Sequence, residues 1–456
     1  MKRLFVLIIS ILLVSCNRPP ENGPGRDDGT GIMAEGWITS PQKGVLFTKH
    51  SGELEFMTTA NTDPAIVVDT TQRYQEIDGF GNCLTGGSAI LLNKMRLAER
   101  TVLLRELFSP DGNGIGLSYL RITIGASDLS DRVFTYCDLP PGETDPQMEQ
   151  FSIEPEKADL IPVLKEILAI NPSLKILGSP WTAPLWMKTN NASVGGSLKH
   201  EWFDAYAKYF VKYIQAMKDE GIVIDAITVQ NEPLHGGNNP SMVMTAADQA
   251  LFIRQSLGPA FAAAGIKTKI IIYDHNADRT DYPLAVLNDA GARQYIDGSA
   301  FHLYGGSIDA LTAVHDAFPA KNLYFTEQWV GGPGNLAEDL KWHVENLIIG
   351  ATRNWCRNVI EWNLASDPSY DPHTEGGCDR CLGTVTLSGN NVTRNPAYYI
   401  LAHASRHVRP GSVRVSTNTL GNLPNVAFQT PGGSKVLIVV NTTPDNPQRT
   451  PMITWV

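Results

Sequence analysis

From residue 79 onward the chain repeats one plan: a short apolar strand, a loop carrying polar or aromatic residues at its C-terminal end, then an amphipathic helix. The strand candidates are IDGFGNCLT (77–85), LSYLRITIG (117–125), LKILGSPW (174–181), IDAITVQ (224–230), TKIIIYDHN (268–276), GSAFHLYG (298–305), NLYFTEQW (322–329) and NVIEWNLA (358–365). Strands that alternate with helices are joined by crossovers and therefore run parallel. Eight such units predict an α/β fold, a (β/α)8 TIM barrel. A doubly wound open sheet is the rival. It often carries a phosphate loop after its first strand, and GFGNCLTGG lacks the G-x-G-x-x-G spacing of that loop.

The helical stretches support this plan. Across 200–221, Trp202, Tyr206, Tyr209, Phe210, Tyr213, Ile214 and Met217 recur at helical spacing, and Gly221 is a suitable stop. A further helix is expected from Thr245, an N-cap with Asp248 three residues on, to near Gly265. The flanks differ: 36–76 and 410–456 alternate like antiparallel strands separated by turn residues. We read them as a small side β-sandwich assembled from both termini, with the barrel over 77–409.

The first residues read as a targeting segment. Lys2-Arg3 precede an apolar stretch, Leu4 to Val14, that is too short to span a bilayer. It ends in Leu13-Val14-Ser15-Cys16, which resembles a bacterial lipobox and makes Cys16 the lipidation site. Residues 17–35 are polar and rich in Pro and Gly, as in a flexible tether. The expectation is an exported bacterial lipoprotein, held at the outer membrane by lipid and without a spanning helix. Five further cysteines remain, so an exported form has at least one unpaired thiol. Cys378-Asp-Arg-Cys381 fits a disulfide hairpin or two free thiols better than half a zinc site, because no second Cys/His pair lies nearby in sequence.

In a (β/α)8 barrel the functional groups sit where the strands end at their C-terminal face. Strand 2 is followed by Asp128, strand 3 by Trp181, strand 4 by Asn231 and Glu232, and strand 5 by Asp274, His275 and Asn276. Strand 6 gives His302 and Tyr304, strand 7 Glu327 and Trp329, and strand 8 Glu361, Trp362 and Asn363. Alternation sets Glu361 on the face opposite Trp362. With no lysine or arginine among them, these residues do not suit a phosphate. They suit a neutral polyhydroxylated ligand, whose C–H faces stack on aromatics while carboxylates and amides bond its hydroxyls. A formal net charge of −10 likewise argues against a nucleic-acid partner.

Two of the carboxylates, Glu232 and Glu327, come from strands that face each other across a barrel mouth. A glycosidase needs an acid to protonate the leaving oxygen and a second group to attack the anomeric carbon or activate water. Asn231 is placed to bond a sugar 2-hydroxyl, and His302 or Tyr304 to orient Glu327. His275 and His302 taken singly are as readily hydrogen-bonded structural residues, and Asp128 as readily a loop cap.

At these residues the chain resembles glycoside hydrolase family 30, which contains lysosomal glucosylceramidase and bacterial and fungal β-glucanases. DGFGNCLTGGSA, LRITIGASDLS with FTYCD, SPWTAPLWMKTN with GGSLK, QNEP, LYFTEQW and WNLASDP carry the resemblance, from about residue 76 to 415. It implies a retaining mechanism, a barrel with a sandwich from both termini, Glu232 as acid/base and Glu327 as nucleophile. It further implies substrate contacts by Asp128, Trp362 and Asn363, and His302-Leu303-Tyr304 matches the family's H-x-Y. Asn82-Cys83 replaces the usual small residues near GFG, which implies a changed wall of the subsite. The chain ends at MITWV, so a sandwich reduced by a strand or two is expected.

HTEGGCDRCLGTVTL (373–387) resembles the corresponding loop of the family's β-1,6-glucanases more than that of glucosylceramidase. The expected substrate is therefore an extracellular β-1,6-glucan, with no cofactor, no metal and no protein partner. Two alternatives stand beside it: an exo-acting β-glucosidase of glucosylceramidase type, and a non-catalytic glycan-binding lipoprotein. The second would have lost one of the two glutamates, and both are present. A metal-dependent barrel hydrolase would want a His-x-His near strand 1, and the sequence has none there.

Overall fold

Eight strands close in sequential order into a parallel barrel: Gly79–Leu84, Tyr119–Thr123, Lys175–Ser179, Ala226–Thr228, Lys269–Asn276, Ile296–His302, Asn322–Glu327 and Cys356–Asn363. They are numbered 1 to 8 below. The computed structural model describes residues 7–14, 29–52, 54–57, 65–443 and 452–455. Each strand falls within its sequence-predicted stretch or within two residues of it, because a barrel strand buried on both faces stands out as a short apolar run.

A layer of side chains from seven strands fills the interior: Tyr119, Leu177, Ala226, Ile271, Ala300, Tyr324 and Ile360. The barrel is thus a packed core and not a pore. Strands 1 and 2 approach so closely that a Cβ on Gly81 would lie 1.7 Å from the Tyr119 carbonyl oxygen, which explains the glycine there. On the outside, the helix Phe203–Asp219 buries Tyr206, Tyr209, Phe210, Tyr213 and Met217 on one face. Tyr209 and Tyr213 both stack on Tyr136, with ring centroids 5.8 Å apart. Each buried ring of this kind contributes roughly 1.5–3 kcal/mol. Thr245 caps its helix by accepting from the Asp248 N–H, and a π-helical turn at Ile253–Leu257 carries the helix on toward Gly265.

Both flanks join one sheet beside the barrel. Ala65–Glu76 pairs with Val413–Thr417, which continues through Asn425–Gln429 to Lys435–Asn441. Met452–Trp455 adds in parallel to the outer side of Ala65–Glu76. Buried His403 and His407 lie on this side of the barrel. His403 Nε2 bonds the Thr39 hydroxyl at 2.7 Å, and the His407 ring sits 4.2 Å from that of Trp37.

Two boundaries move. Gly29–Ser40 is one strand, so residues 29–35 are not tether; ladder bonds to Leu54–Met57 hold a segment whose composition alone reads as loop. Leu7–Val14, read as the apolar part of an export signal, runs as a strand between Gly29–Ser40 and Lys435–Asn441. Cys16 and the rest of the tether lie outside the described residues.

Candidate active site

The centre of the barrel mouth is a charged cluster that strand 2 builds from within. Arg121, in the middle of that strand, is fully buried. Its guanidinium donates to Glu327 Oε2 at 2.5 Å, Asn231 Oδ1 at 2.6 Å, Asp274 Oδ2 at 2.8 Å and Ser179 Oγ at 3.0 Å. Asp274 also accepts from Thr228 at 2.7 Å and Thr326 at 2.6 Å. Burial works against its charge, but Arg121 and His302 more than offset it and hold the carboxyl well below the usual carboxylate range.

His302 bridges two acids. Its Nδ1 lies 3.1 Å from Glu232 Oε1 and its Nε2 3.1 Å from Asp274 Oδ1. Burial disfavours a charged ring, yet the Glu327 charge and the bonds to Asp274 and Glu232 raise its pKa to about 9. Burial pushes Glu232 up as well, and there the bond to His302 and the His302 charge win, so its carboxyl lies low. Glu327 is pushed up, first by burial and also by Glu232, against the pull of His302 and Arg121. Its two oxygens are nevertheless matched to two donors, Arg121 and the Tyr304 hydroxyl at 2.9 Å, an arrangement suited to a carboxylate at neutral pH. Glu232 and His302 thus hold a transferable proton between them, while Glu327 is the ionised partner.

The backbone is bent to bring these groups together. Glu232 has φ +43°, and Tyr273 and Asp274 have φ +72° and +68°. Non-glycine residues in this region cost of order 1–3 kcal/mol each and concentrate at functional sites. Strand 4 ends at Thr228, and Glu232 stands in the loop beyond it, its N–H bonding the Asp274 carbonyl at 3.0 Å.

Above the cluster lies a cavity of about 330 Å³, lined by Asp128, Trp181, Glu232, His275, Tyr304, Glu327, Trp329 and Trp362, with His235, Asn238, Asn276, Cys378 and Cys381. Trp181 and Trp362 stack at 5.4 Å, and Arg121 lies 4.8 Å from the Trp181 ring. Burial, with the Glu327 and Glu232 charges, pushes Asp128 up to about 7. Burial also drives His275 down to about 4, so its ring is neutral at neutral pH, and its Nδ1 has no partner. Single ligand atoms of Glu232, His302 and Glu327 all lie within 4.8 Å of one another. That is the close approach of a double-displacement pair, for which carboxyl groups stand about 5–5.5 Å apart. The same atoms come near enough to hold a metal, but both His302 nitrogens are already turned to carboxylates.

Three expectations change. His302 is fully buried and does not line the cavity; it bonds Glu232 and Asp274, and of the two candidates Tyr304 orients Glu327, together with Arg121. Asn363 is not among the residues lining the cavity; its amide donates to the Cys381 and Ala365 carbonyls at 3.2 and 3.3 Å and braces that loop. Arginine is present after all: Arg121 was hidden inside LSYLRITIG, and its only signal was a charge within a run that must face the barrel interior. It is consumed by Glu327 and Asp274, so the inference against a phosphate ligand stands. Asn231 is held by Arg121, which donates to its side-chain oxygen at 2.6 Å. Glu361 faces away from the cavity to His343, at 2.8 Å. Cys83 packs in one cluster with Trp181 and Trp362, while Asn82 bonds Thr384 at 2.7 Å.

Comparison with known proteins agrees with this geometry. Residues 77–408 match the glycosyl hydrolase family 30 TIM-barrel domain, and residues 411–450 the glycosyl hydrolase family 30 beta sandwich domain. An endo-1,6-β-D-glucanase of Aspergillus fumigatus is 35% identical over 404 residues, covering 82% of this chain and 80% of that one. A putative glucosylceramidase 2 of Caenorhabditis elegans is 30% identical over 442 residues, covering 89% and 84%. Among solved structures, the endo-β1,6-glucanase BT3312 superposes with a TM-score of 0.80 at 38% identity, covering 87% of this chain and 90% of that one.

Proposed function

The chain belongs to glycosyl hydrolase family 30, and on that premise we propose that it cleaves β-1,6-linked glucan with retention, Glu327 acting as nucleophile and Glu232 as acid/base. The observation that carries the assignment is the pairing of these two carboxylates within 4.8 Å, with Arg121 and Tyr304 on one and His302 on the other. The linkage rests on the relatives: the two endo-1,6-glucanases are 35% and 38% identical, the putative glucosylceramidase 30%.

In the first step Glu327 attacks the anomeric carbon, the glycosidic bond breaks, and the leaving oxygen takes the proton from Glu232. Arg121 and Tyr304 fix the attacking carboxylate, and Trp181 and Trp362 wall the sugar. In the second step water adds to the same carbon, its proton passes to Glu232, and Glu327 leaves as a carboxylate. Asn231 bonds the 2-hydroxyl, a contact that strengthens in the transition state.

The test is azide rescue. Glu327→Ala should abolish turnover of an activated aryl β-glucoside, with azide restoring part of it as the α-glucosyl azide; Glu232→Ala should give the β-azide. Undiminished turnover by Glu327→Ala overturns the assignment. Sugars released from β-1,6-glucan, β-1,3-glucan and glucosylceramide, compared side by side, test the linkage against a glucosylceramidase-type activity.

The export reading belongs to the same proposal: Lys2-Arg3, the apolar stretch and the Leu-Val-Ser-Cys16 sequence support a lipid-anchored protein acting on extracellular glucan. Cleavage before Cys16 would vacate the strand position of Leu7–Val14. Loss of the protein from the membrane fraction on Cys16→Ala checks this, and an unchanged distribution overturns it.

A further inference from the structure

One wall of the cavity is unlike the others. Asp128, Glu232, His275, Tyr304 and Glu327 offer charged or hydrogen-bonding groups around it, whereas Cys378 and Cys381 present a disulfide. A disulfide has no hydrogen to donate and is a weak acceptor. Cys381 is buried and Cys378 half-buried, and the pair packs against Trp329 and Trp362.

The loop that carries it is built into the mouth. The Thr374 N–H bonds the Asp128 carbonyl at 2.9 Å. A Cβ on Gly377 would lie 2.3 Å from that carbonyl oxygen, so the loop is pressed against the end of strand 2. Cys381 pairs with Gly331 beyond strand 7, and Arg380 and Gly332 exchange backbone and side-chain bonds at 2.7 and 2.9 Å. Asn239, beyond strand 4, donates to the Glu375 carbonyl at 3.0 Å. The segments beyond strands 2, 4 and 7, with Asn363 of strand 8, therefore hold the disulfide loop in place.

The order of groups around the cavity identifies the part of the sugar that meets this wall. Glu327 addresses C1 and Asn231 the 2-hydroxyl. On the same reading Asp128 meets the next hydroxyls, because the closed barrel runs from strand 7 through strand 4 to strand 2, and the disulfide, bonded through the Cys381 carbonyl to Asn363 of strand 8, comes after it. The next substituent after C4 on a glucopyranose is the C6 arm. Resting on the β-1,6-glucan reading, we propose that the Cys378–Cys381 disulfide is the specificity-determining wall for the C6 arm of the glucose being cleaved, packing its methylene and making no bond to O6. In a 1,6-linked chain O6 is no free hydroxyl: it carries the next sugar. A wall that demands no hydrogen bond there accepts a substituted arm, as cleavage inside a chain requires.

Aryl β-glucoside and aryl β-xyloside, which lacks C6, separate this contact from general loss of the site, because slackening of Asp128 affects both sugars alike. In Cys378→Ala/Cys381→Ala the glucoside-to-xyloside ratio of kcat/KM should fall about tenfold, the scale of a lost methylene contact. Wild-type enzyme treated with dithiothreitol should show the same fall, with two new thiols counted and reversal on reoxidation, which keeps the test open where the double variant folds poorly. An unchanged ratio with both thiols free overturns the proposal. A wild-type enzyme that releases nothing from β-1,6-glucan but whose ratio still falls on reduction overturns the linkage reading and upholds the wall.

Discussion

The two ends of the barrel carry the same kinds of charged groups in opposite circumstances. At the N-terminal end, Lys175 pairs with Asp225 at 2.8 Å, Arg357 with Asp78 at 2.8 Å, and Lys269 lies 3.7 Å from Asp297. The lysine pairs reach solvent, with the Lys175 and Lys269 side chains 46% and 38% exposed, while Arg357 is 18% exposed. At the mouth, Arg121 and Asp274 have no exposed side-chain surface. Three carboxylates there share one guanidinium and one imidazole. Between the two ends lies the apolar layer from Tyr119 to Ile360. The wet end has cation–anion pairs that solvent largely screens. The dry end has more acid than base, and the shortfall is what holds a proton at His302 and Glu232. The same ion pair is thus scaffold at one end and chemistry at the other.

The largest expected break in this comparison is Arg121→Met. Removing one partner of a buried pair leaves uncompensated charge, at a cost of roughly 3–5 kcal/mol. Here Asp274, Glu327 and Asn231 all lose a donor. We expect a large loss of thermal stability and loss of turnover together. Lys269→Met at the wet end, whose pair with Asp297 is exposed, should cost on the order of 1 kcal/mol or less and leave kcat unchanged. Thermal unfolding of the two variants side by side checks the contrast, and equal losses would remove it.

The second test is the pH profile of kcat/KM, which should be bell-shaped. Glu327 has a raised pKa, so its carboxylate is present above that value and lost as pH falls through it. The acid limb therefore lies above the ordinary 4.5. His302 is raised to about 9, so the shared proton is present below that pH and lost as pH rises through it. His302→Gln keeps a polar side chain without the titrating proton. It should lower kcat by about 10²-fold and displace the basic limb. A basic limb that stays in place in the variant would assign it elsewhere.

A quieter pH effect belongs to the seam with the small sheet. Burial depresses His403 and His407 to about 3, and they are neutral in the fold. Their stabilisation is full above about 6.5, the unfolded value, and is lost as pH falls toward 3. Thermal midpoints measured from pH 7 to pH 4 should fall, and His403→Phe should flatten the slope.

Much of this was legible from the sequence, and the misreadings have three separate causes. The eight strands announce themselves as apolar runs, and their ends point to the carboxylates. Alternation then fails where it is most needed. The register shifts between Tyr273 and His275, between Phe301 and His302, and between Glu361 and Asn363. Each shift re-aims the side chains at a strand end, so neither His302 nor Asn363 lines the cavity. Period-two reasoning has no signal for such a bulge. Arg121 was hidden for a different reason: a single charge in an apolar run does not say which partners the other strands bring. At Gly29–Ser40, pairing with distant strands overrode local composition.

The smallest expected effect sharpens the wet end. Lys175 Nζ meets Asp225 Oδ1, while Asp225 Oδ2 accepts the Ile176 N–H at 2.9 Å. The carboxylate thus serves two roles, and only one is the ion pair. Lys175→Met removes the pair and keeps the backbone bond, so unfolding should shift by no more than about 2 °C. Asp225→Ala removes both and leaves a strand N–H without its acceptor, so it should cost more than Lys175→Met, by about 1 kcal/mol. A double-mutant cycle between them should return a coupling below about 1 kcal/mol that shrinks with added salt. A coupling of several kcal/mol, insensitive to salt, would mean that the N-terminal end is as dry as the mouth, and that solvent screening is not what separates the two.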